Sequence, residues 1–480
     1  MTTAIHSKPD SVGRRIIKNL AMLFGGKTAA ALIGLVVLAL AARALSMETL
    51  GSLILLHAYV TLMSGLASFK SWQAVIQFGA GPVTGGDTAA FHTLLRFTIG
   101  LDLLAAVVAM LVSVCVFPII RPLIGLPEDM LVPGILYCLL TVINLRSSPL
   151  GVLRLLDRFD LISLHSLIVP IVRLAGAVSG LALGAGLEWF VAAWFLANAI
   201  SYLVMPILGL RELARRRLLK GLFARPISLR APQKGIWRFV WLANLDATID
   251  LVDTHVATFL SGLLLGPAFA AMFKIARDLS DVLAKSARML DRAMYPELVR
   301  LMLAGESARA LVIIVRTSLI MLGIGAVLGA LIYVFGPAIF ASALDAGYVG
   351  IAPIATMLMI AAALFAATAP LYPALFALGE PARATIARAG GVSAIIVLFF
   401  ILSHLLGEDG PGFAMVVGQL IGLILAASMA LSRLHVRRKA DGQSALSRAS
   451  TASTSPGSAE PDPRSGTPGQ PESSSSQVPK

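Results

Sequence analysis

The sequence predicts an all-α polytopic membrane protein with about 12 transmembrane helices. Three observations carry this. Of 480 residues, 57% are hydrophobic and only 14% are charged, whereas a soluble domain carries about 25% charged residues. So few charges cannot coat a water-facing surface on a chain this long. That excludes an ordinary cytosolic enzyme, a disordered protein and a disulfide scaffold. The apolar residues fall in strings of roughly 20, the length of a helix that spans hydrocarbon. Helices satisfy their own backbone hydrogen bonds where lipid offers no partners. A barrel would instead alternate with period two over about ten residues per strand.

The opening residues, MTTAIHSKPDSVGRRIIKNL, are polar and basic, and the apolar run over 21–45 is too long for the core of a cleavable signal. It reads as a first span that stays in the protein. Six spans fall in the first half, at 19–45, 50–70, 94–118, 130–150, 160–184 and 187–209. Six more fall at 236–261, 265–287, 308–336, 350–376, 384–405 and 411–432.

Net charge is +13, and its distribution sets orientation. With the N-terminus inside, the cytoplasmic segments collect Arg14, Arg15, Arg154, Arg158, the dense basic stretch from Arg211 to Arg238, and Arg433 to Lys439. The external segments hold Arg43 and Arg121 against Glu48, Glu128, Asp129, Glu188, Asp345, Glu408 and Asp409. Positive loops stay in the cytoplasm, so both termini are expected there, in a multi-pass protein of the cytoplasmic (inner) membrane. The basic excess implies contact with membrane lipids; no nucleic-acid motif accompanies it. Trp72, Trp189, Trp194, Trp237 and Trp241 sit at span ends, as an interfacial belt would.

The polar segment 211–234 divides the spans six and six. The expected organisation is a cytoplasmic segment (1–18), an N-terminal lobe (19–210), a basic cytoplasmic linker (211–234), a C-terminal lobe (235–435) and a disordered tail (436–480). The tail is Ser-, Pro- and Gly-rich and cannot bury a core. A weak repeat supports two lobes: SMETLG (46–51) follows span 1 as SGLLLG (261–266) follows span 7. Cys115 and Cys138 both lie in apolar runs and are expected as buried core residues, without a disulfide.

No Walker loop, dinucleotide fingerprint, HExxH or CxxC occurs, and no histidine pair has metal-ligand spacing. No cofactor or metal is therefore expected. His57, His165 and His255 lie within spans and read as polar core residues or as relay groups. The informative residues are charges inside the membrane, each costing about 2.5 kcal/mol or more at a helix centre. They are Lys27 in span 1, Asp102 in span 3, Arg173 in span 5, and Lys274, Arg277, Asp278 and Asp281 in span 8. Asp246, Asp250 and Asp253 of span 7 share one helix face. Such charges either pair between helices or line a hydrated cavity. Pro170, Pro370 and Pro373 interrupt spans 5 and 10, as fixed kinks or as hinges.

Four segments resemble a known group: LAARALSMETLGSLILLHAYVTLMSGL (40–66), GVLRLLDRFDLISLHSL (151–167), LVDTHVATFLSGLLLGPAFAAMFKIARDLSDVL (251–283) and MYPELVRL (294–301). Their order and spacing are similar to the O-antigen and teichoic-acid type polysaccharide flippases of the multidrug/oligosaccharidyl-lipid/polysaccharide exporter (MOP) superfamily. Ala271, Met272 and Phe273 depart from the pattern, standing where many members carry Gly-x-Tyr. The resemblance implies two six-helix lobes in a V, with spans 1, 2, 7 and 8 lining a central cavity. It implies a lipid-linked oligosaccharide substrate carried on a polyprenyl diphosphate. It also implies polysaccharide polymerase and glycosyltransferase partners. Lys27, Arg173 and Lys274 then suit the diphosphate, with Arg277 beside them; Asp246, Asp250 and Asp253 suit sugar hydroxyls or an ion-pair switch. The alternative is a small-molecule exporter of the same superfamily with a coupling ion bound on spans 7 and 8. A membrane glycosyltransferase or polymerase is disfavoured, because no loop is large enough for a catalytic domain.

Overall fold

A computed structural model of the chain describes residues 9–251, 256–344, 348 and 350–453, with side chains except at 9–24, 245–247, 249, 250, 289, 291–293, 296, 381 and 438–453. All regular structure among them is helical. Helix α1 (Pro9–Ala44) turns through Leu45 and Ser46 into α2 (Met47–Ala67), which resumes after a break as α3 (Ser71–Gly85). Ser46 accepts from the Thr49 N–H and caps α2. Helix α4 (Thr88–Leu123) returns. The next crossing combines α5 (Leu131–Leu139), a 3₁₀ turn and α6 (Ser147–Leu155). Then come α7 (Phe159–His165) with α8 (Ile168–Leu183), and α9 (Leu187–Arg215). The second half holds α10 (Ile236–Leu251), α11 (Ala257–Leu303), α12 (Ser307–Ala343), α13 (Ile351–Thr368), α14 (Leu371–Ala377), α15 (Pro381–Leu406) and α16 (Gly410–Ser453).

Ten segments among the described residues are long and apolar enough to cross a membrane. The last of them, Ala382–Arg437, contains α15 and α16, which reverse at Gly407 (φ +60°) and pack on each other. Within α11, Gly266 has φ +86° and ψ 175°, a conformation open to glycine, and breaks the helix. Helix α10, of 16 residues, and the piece of α11 before Gly266 both fall in the seventh expected span, on either side of 252–255, which lie outside the described residues. The twelve expected crossings thus all have a helical counterpart.

The packing forms two bundles. In the first, α1 lies on α7 and α8, α3 on α4 and α6, and α9 on α6 and α8. In the second, α13 packs against α11, α12 and α16. The bundles meet mainly where α2 runs along α11. Glycines make that approach possible. A Cβ on Gly51 would lie 1.8 Å from the Pro267 carbonyl oxygen, and one on Gly262 would lie 2.1 Å from Leu55. The two similar turns noted in the sequence therefore touch each other. Beside them, Arg43 Nη2 donates to the Ser342 carbonyl at 2.5 Å. This end of the molecule, the turn end, is sealed between the bundles. A fully buried core containing Leu50, Leu53, Leu55, Tyr59, Phe117, Phe269, Phe273 and Phe399 runs through both bundles beneath the seal.

Several expectations need correction. Residues 71–85, left between spans, form α3; its glycines and Pro82 thin the apolar pattern, yet Gly79 lets Leu155, Phe91 and Leu94 approach closely. Helix α10, expected in the C-terminal lobe, packs on α2 and α3. Ile236 and Val240 join Ala74, Leu94, Phe97 and Leu101 in one core, and Trp237 stands edge-on to Phe97. The basic linker is not a free loop. Leu222 is fully buried, and the carbonyls of Leu218 and Leu222 accept from His92 and Arg96 of α4. Trp194 is 5% exposed and belongs to the core, not to an interfacial belt, because Arg173 stacks on its ring. Trp189 and Trp241 are exposed as expected. Both cysteines are free thiols, but only Cys138 is buried; Cys115 is exposed on α4. The tail expected to be disordered from 436 continues α16 as far as Ser453, since helix formers there outnumber the lone Gly442. Residues 454–480 lie outside the described residues.

The prolines fall at real interruptions. Pro170 lies in the first turn of α8, after the α7–α8 break, and Pro370 lies between α13 and α14.

Candidate functional site

Between the bundles lies a cavity of about 330 Å³, within the size range of ligand sites. Its first-bundle wall comes from α1, α2, α8 and α9; its second-bundle wall is the charged face of α11. That face follows from helical spacing. Lys274, Arg277, Asp278, Asp281 and Lys285 recur at intervals of three and four, which places them on one side.

Arg173 reaches in from α8. Its guanidinium lies 4.2 Å from the Trp194 ring centroid, and Nη2 approaches His57 Nε2 at 3.1 Å. A guanidinium can only donate, so His57 Nε2 accepts and its Nδ1 carries the proton. Nδ1 then donates to the Tyr137 hydroxyl at 3.0 Å, which also receives Asn198 Nδ2 at 2.9 Å. Four helices, α8, α2, α5 and α9, are tied by this chain, and Arg173 is held in one orientation. Its Nε is buried with no hydrogen-bond partner among the described residues. A buried donor left unmade is costly, and this one belongs to a cavity wall.

On the opposite wall, Lys274 pairs with Asp278 one turn away, and Lys285 lies 4.0 Å from Asp281. Arg277 is buried and directs Nη1 to the Met415 sulfur of α16 at 3.7 Å. Among the described residues, the cavity wall carries four cationic and two anionic side chains.

The candidates from the sequence separate. Arg173, Lys274 and Arg277 share this cavity. Lys27 does not; it lines a second cavity inside the first bundle. Among the described residues, Arg173 bonds His57 and no aspartate. Asp102 is 5% exposed and accepts the Ser148 N–H at 2.7 Å, which caps the start of α6. The side chains of Asp246 and Asp250, and Asp253 altogether, lie outside the described residues. Sequence reasoning missed Trp194, Tyr137 and Asn198 as parts of the site. Lys285, near the predicted end of span 8, continues the spacing of Lys274, Asp278 and Asp281.

No family model matches the chain. A solved inward-facing structure of a multidrug resistance MATE family transporter of the MOP superfamily aligns over 85% of this chain and 96% of its own, with TM-score 0.69 at 15% identity. The fold is that of the MOP-superfamily exporters. Two further structures agree. The lipid II flippase MurJ, in an inward closed conformation, has TM-score 0.62 at 11% identity, over 88% of this chain and 90% of that one. A mutant of the Vibrio cholerae MATE transporter VcmN has TM-score 0.59 at 14% identity, over 89% and 98%. By sequence, the inner membrane protein YghQ of Escherichia coli (strain K12) is 29% identical over 331 residues, 69% of this chain and 93% of that protein. The cavity lies between the two bundles, with walls from the spans that the resemblance named and from α8 and α9.

Proposed function

We propose that the protein is a flippase. It carries a polyprenyl-diphosphate-linked oligosaccharide across the cytoplasmic (inner) membrane by alternating access, for surface polysaccharide biosynthesis. The observation that carries this reading is Arg173, a guanidinium held in the wall of the central cavity by Trp194 and His57. Asp278 and Asp281 each have a lysine one turn away. A guanidinium fork matches phosphate oxygens. The carboxylates can accept hydrogen bonds from sugar hydroxyls. MurJ, which shares the fold, is a lipid II flippase, and YghQ is an inner membrane protein.

In this reading the basic 211–234 segment and both termini face the cytoplasm. The turn end is then periplasmic, and its seal at Gly51, Pro267 and Arg43 marks a state closed to the outside. Opening it would need the bundles to part along α2 and α11, with the proline breaks at α7–α8 and α13–α14 as hinge candidates. Glycosyltransferases would supply the substrate and a polysaccharide polymerase would consume it.

A deletion strain tests the reading. Surface polysaccharide and membrane lipid-linked oligosaccharide are separated and quantified with and without the gene restored. The expected result is loss of the surface glycan with intact oligosaccharide trapped on the cytoplasmic face. Normal surface glycan, together with hypersensitivity to cationic drugs, would favour the ion-coupled exporter, with Asp246, Asp250 and Asp253 as its candidate sites.

A further inference from the structure

The basic linker climbs along α4. The Leu218 carbonyl accepts from His92 Nε2 at 2.7 Å, and the Leu222 carbonyl accepts from Arg96 Nη1 at 3.2 Å. One turn further, a Cβ on Gly100 would lie 2.9 Å from Ile227 and 3.3 Å from Leu229. Positions 92, 96, 100, 103 and 107 follow at intervals of three and four, so they share one face of α4. That face is buried at His92, Arg96 and Gly100, and exposed at Leu103, Leu104 and Val107. From Leu103 to Ile120, α4 carries no charged residue, as expected where it meets lipid. The linker therefore covers α4 up to the lipid-facing stretch and ends within about 5 Å of it along the helix axis.

The outer surface of the linker has two components. Phe223, Ile227 and Leu229 are 60%, 43% and 41% exposed, and they extend the apolar stripe of α4. Interleaved with them, Lys220, Arg225 and Arg230 are exposed. From 211 to 238 the chain carries nine basic residues and one carboxylate, Glu212. That carboxylate is buried and held by Arg158 and Arg216. Exposed apolar side chains among cations mark a segment that lies in the plane of a membrane interface, where basic groups gather anionic headgroups. We propose that residues 218–230 form an interfacial anchor. Phe223, Ile227 and Leu229 enter the acyl boundary of the adjoining leaflet, and Lys220, Arg225 and Arg230 bind the phosphates of its anionic phospholipids. The anchor ties the connection between α9 and α10 to the membrane surface. The inference rests on the contacts and exposure of the linker and not on the flippase reading.

Two measurements on the full-length protein test this, both in nanodiscs of phosphatidylcholine mixed with phosphatidylglycerol. The first is depth. A nitroxide is attached to Phe223→Cys, with Cys115 replaced by alanine; Cys138 is buried. The label is expected to collide with dissolved oxygen more often than with a water-soluble nickel chelate, as a group at the acyl boundary does. Ile227→Cys and Leu229→Cys carry the same measurement if the first variant folds poorly.

The second is lipid selectivity. Native mass spectrometry of protein released from the nanodiscs counts retained phosphatidylglycerol against phosphatidylcholine. The protein is expected to prefer phosphatidylglycerol, and the combined variant Lys220→Gln, Arg225→Gln, Arg230→Gln is expected to lose that preference at least tenfold. Arg225→Lys with Arg230→Lys is expected to keep it, because a fluid headgroup layer reads charge and not a fixed fork. A label that meets the nickel chelate more often than oxygen overturns the proposal and makes an acidic protein the candidate partner of the basic patch. An unchanged lipid preference in the glutamine variant also overturns it. Neither readout involves transport, so failure of the genetic export test leaves the inference standing.

Discussion

Arg173→Gln is expected to reduce surface glycan to background in a complemented deletion strain, with normal protein abundance in the membrane. The residue combines three features that a glutamine does not reproduce together. Its positive charge stands in the wall of the central cavity. Its guanidinium is stacked on Trp194 and tied to His57. Its Nε has no protein partner among the described residues. A hydrogen bond to a charged group contributes about 1.5–3 kcal/mol, roughly 10- to 100-fold in affinity for an anion. Arg173→Lys keeps the charge and loses the planar fork, so intermediate export is expected. A structural role alone would show as lost protein. Full export by Arg173→Gln would remove the residue from the substrate path.

The second large effect is expected at the turn end. Gly51→Val places a Cβ 1.8 Å from the Pro267 carbonyl, backbone against backbone, where no side chain can swing aside. Overpacking of a tight contact costs about 1–3 kcal/mol, and a backbone clash lies at the upper end of that range. The melting temperature of the purified protein should fall by several degrees, and export should fall with it, because the sealed state is the one disfavoured. Gly323 is the control. It lies on α12 with nothing near its would-be Cβ, so Gly323→Ala should leave melting unchanged or raise it slightly, as helix propensity predicts. Equal melting of the Gly51 and Gly323 variants would show that the two turns do not touch in the working protein.

The helices were legible because lipid imposes one rule on every span: a run of apolar residues with its backbone bonds satisfied internally. The rule failed where apolar density is diluted, at α3, and where helices outrun the bilayer, at α11 and α16. It could not show that α10 leans on the first bundle, since that depends on aromatic partners such as Phe97 and Phe69, distant in sequence.

The site was half legible. Lys274, Arg277, Asp278 and Asp281 share a helix, so spacing alone put them on one face. Arg173 and Lys27 looked equivalent as lone intramembrane cations, and only the packing of α1 and α8 sends one to each cavity. Arg154 was counted as a loop residue because span 4 was ended at 150; α6 runs to Leu155 and carries it into the second cavity. Trp194 near a span start looked interfacial, and nothing local marks it as the platform for Arg173.

The most direct test of the account is a transport assay with the purified protein in proteoliposomes. A fluorescent polyprenyl-diphosphate oligosaccharide is incorporated, and its appearance in the opposite leaflet is read by accessibility to an added glycosidase. The account predicts protein-dependent translocation of the lipid-linked glycan, lost in Arg173→Gln. Translocation no faster than in empty liposomes, with uptake or extrusion of a cationic dye by the same preparation, would contradict it.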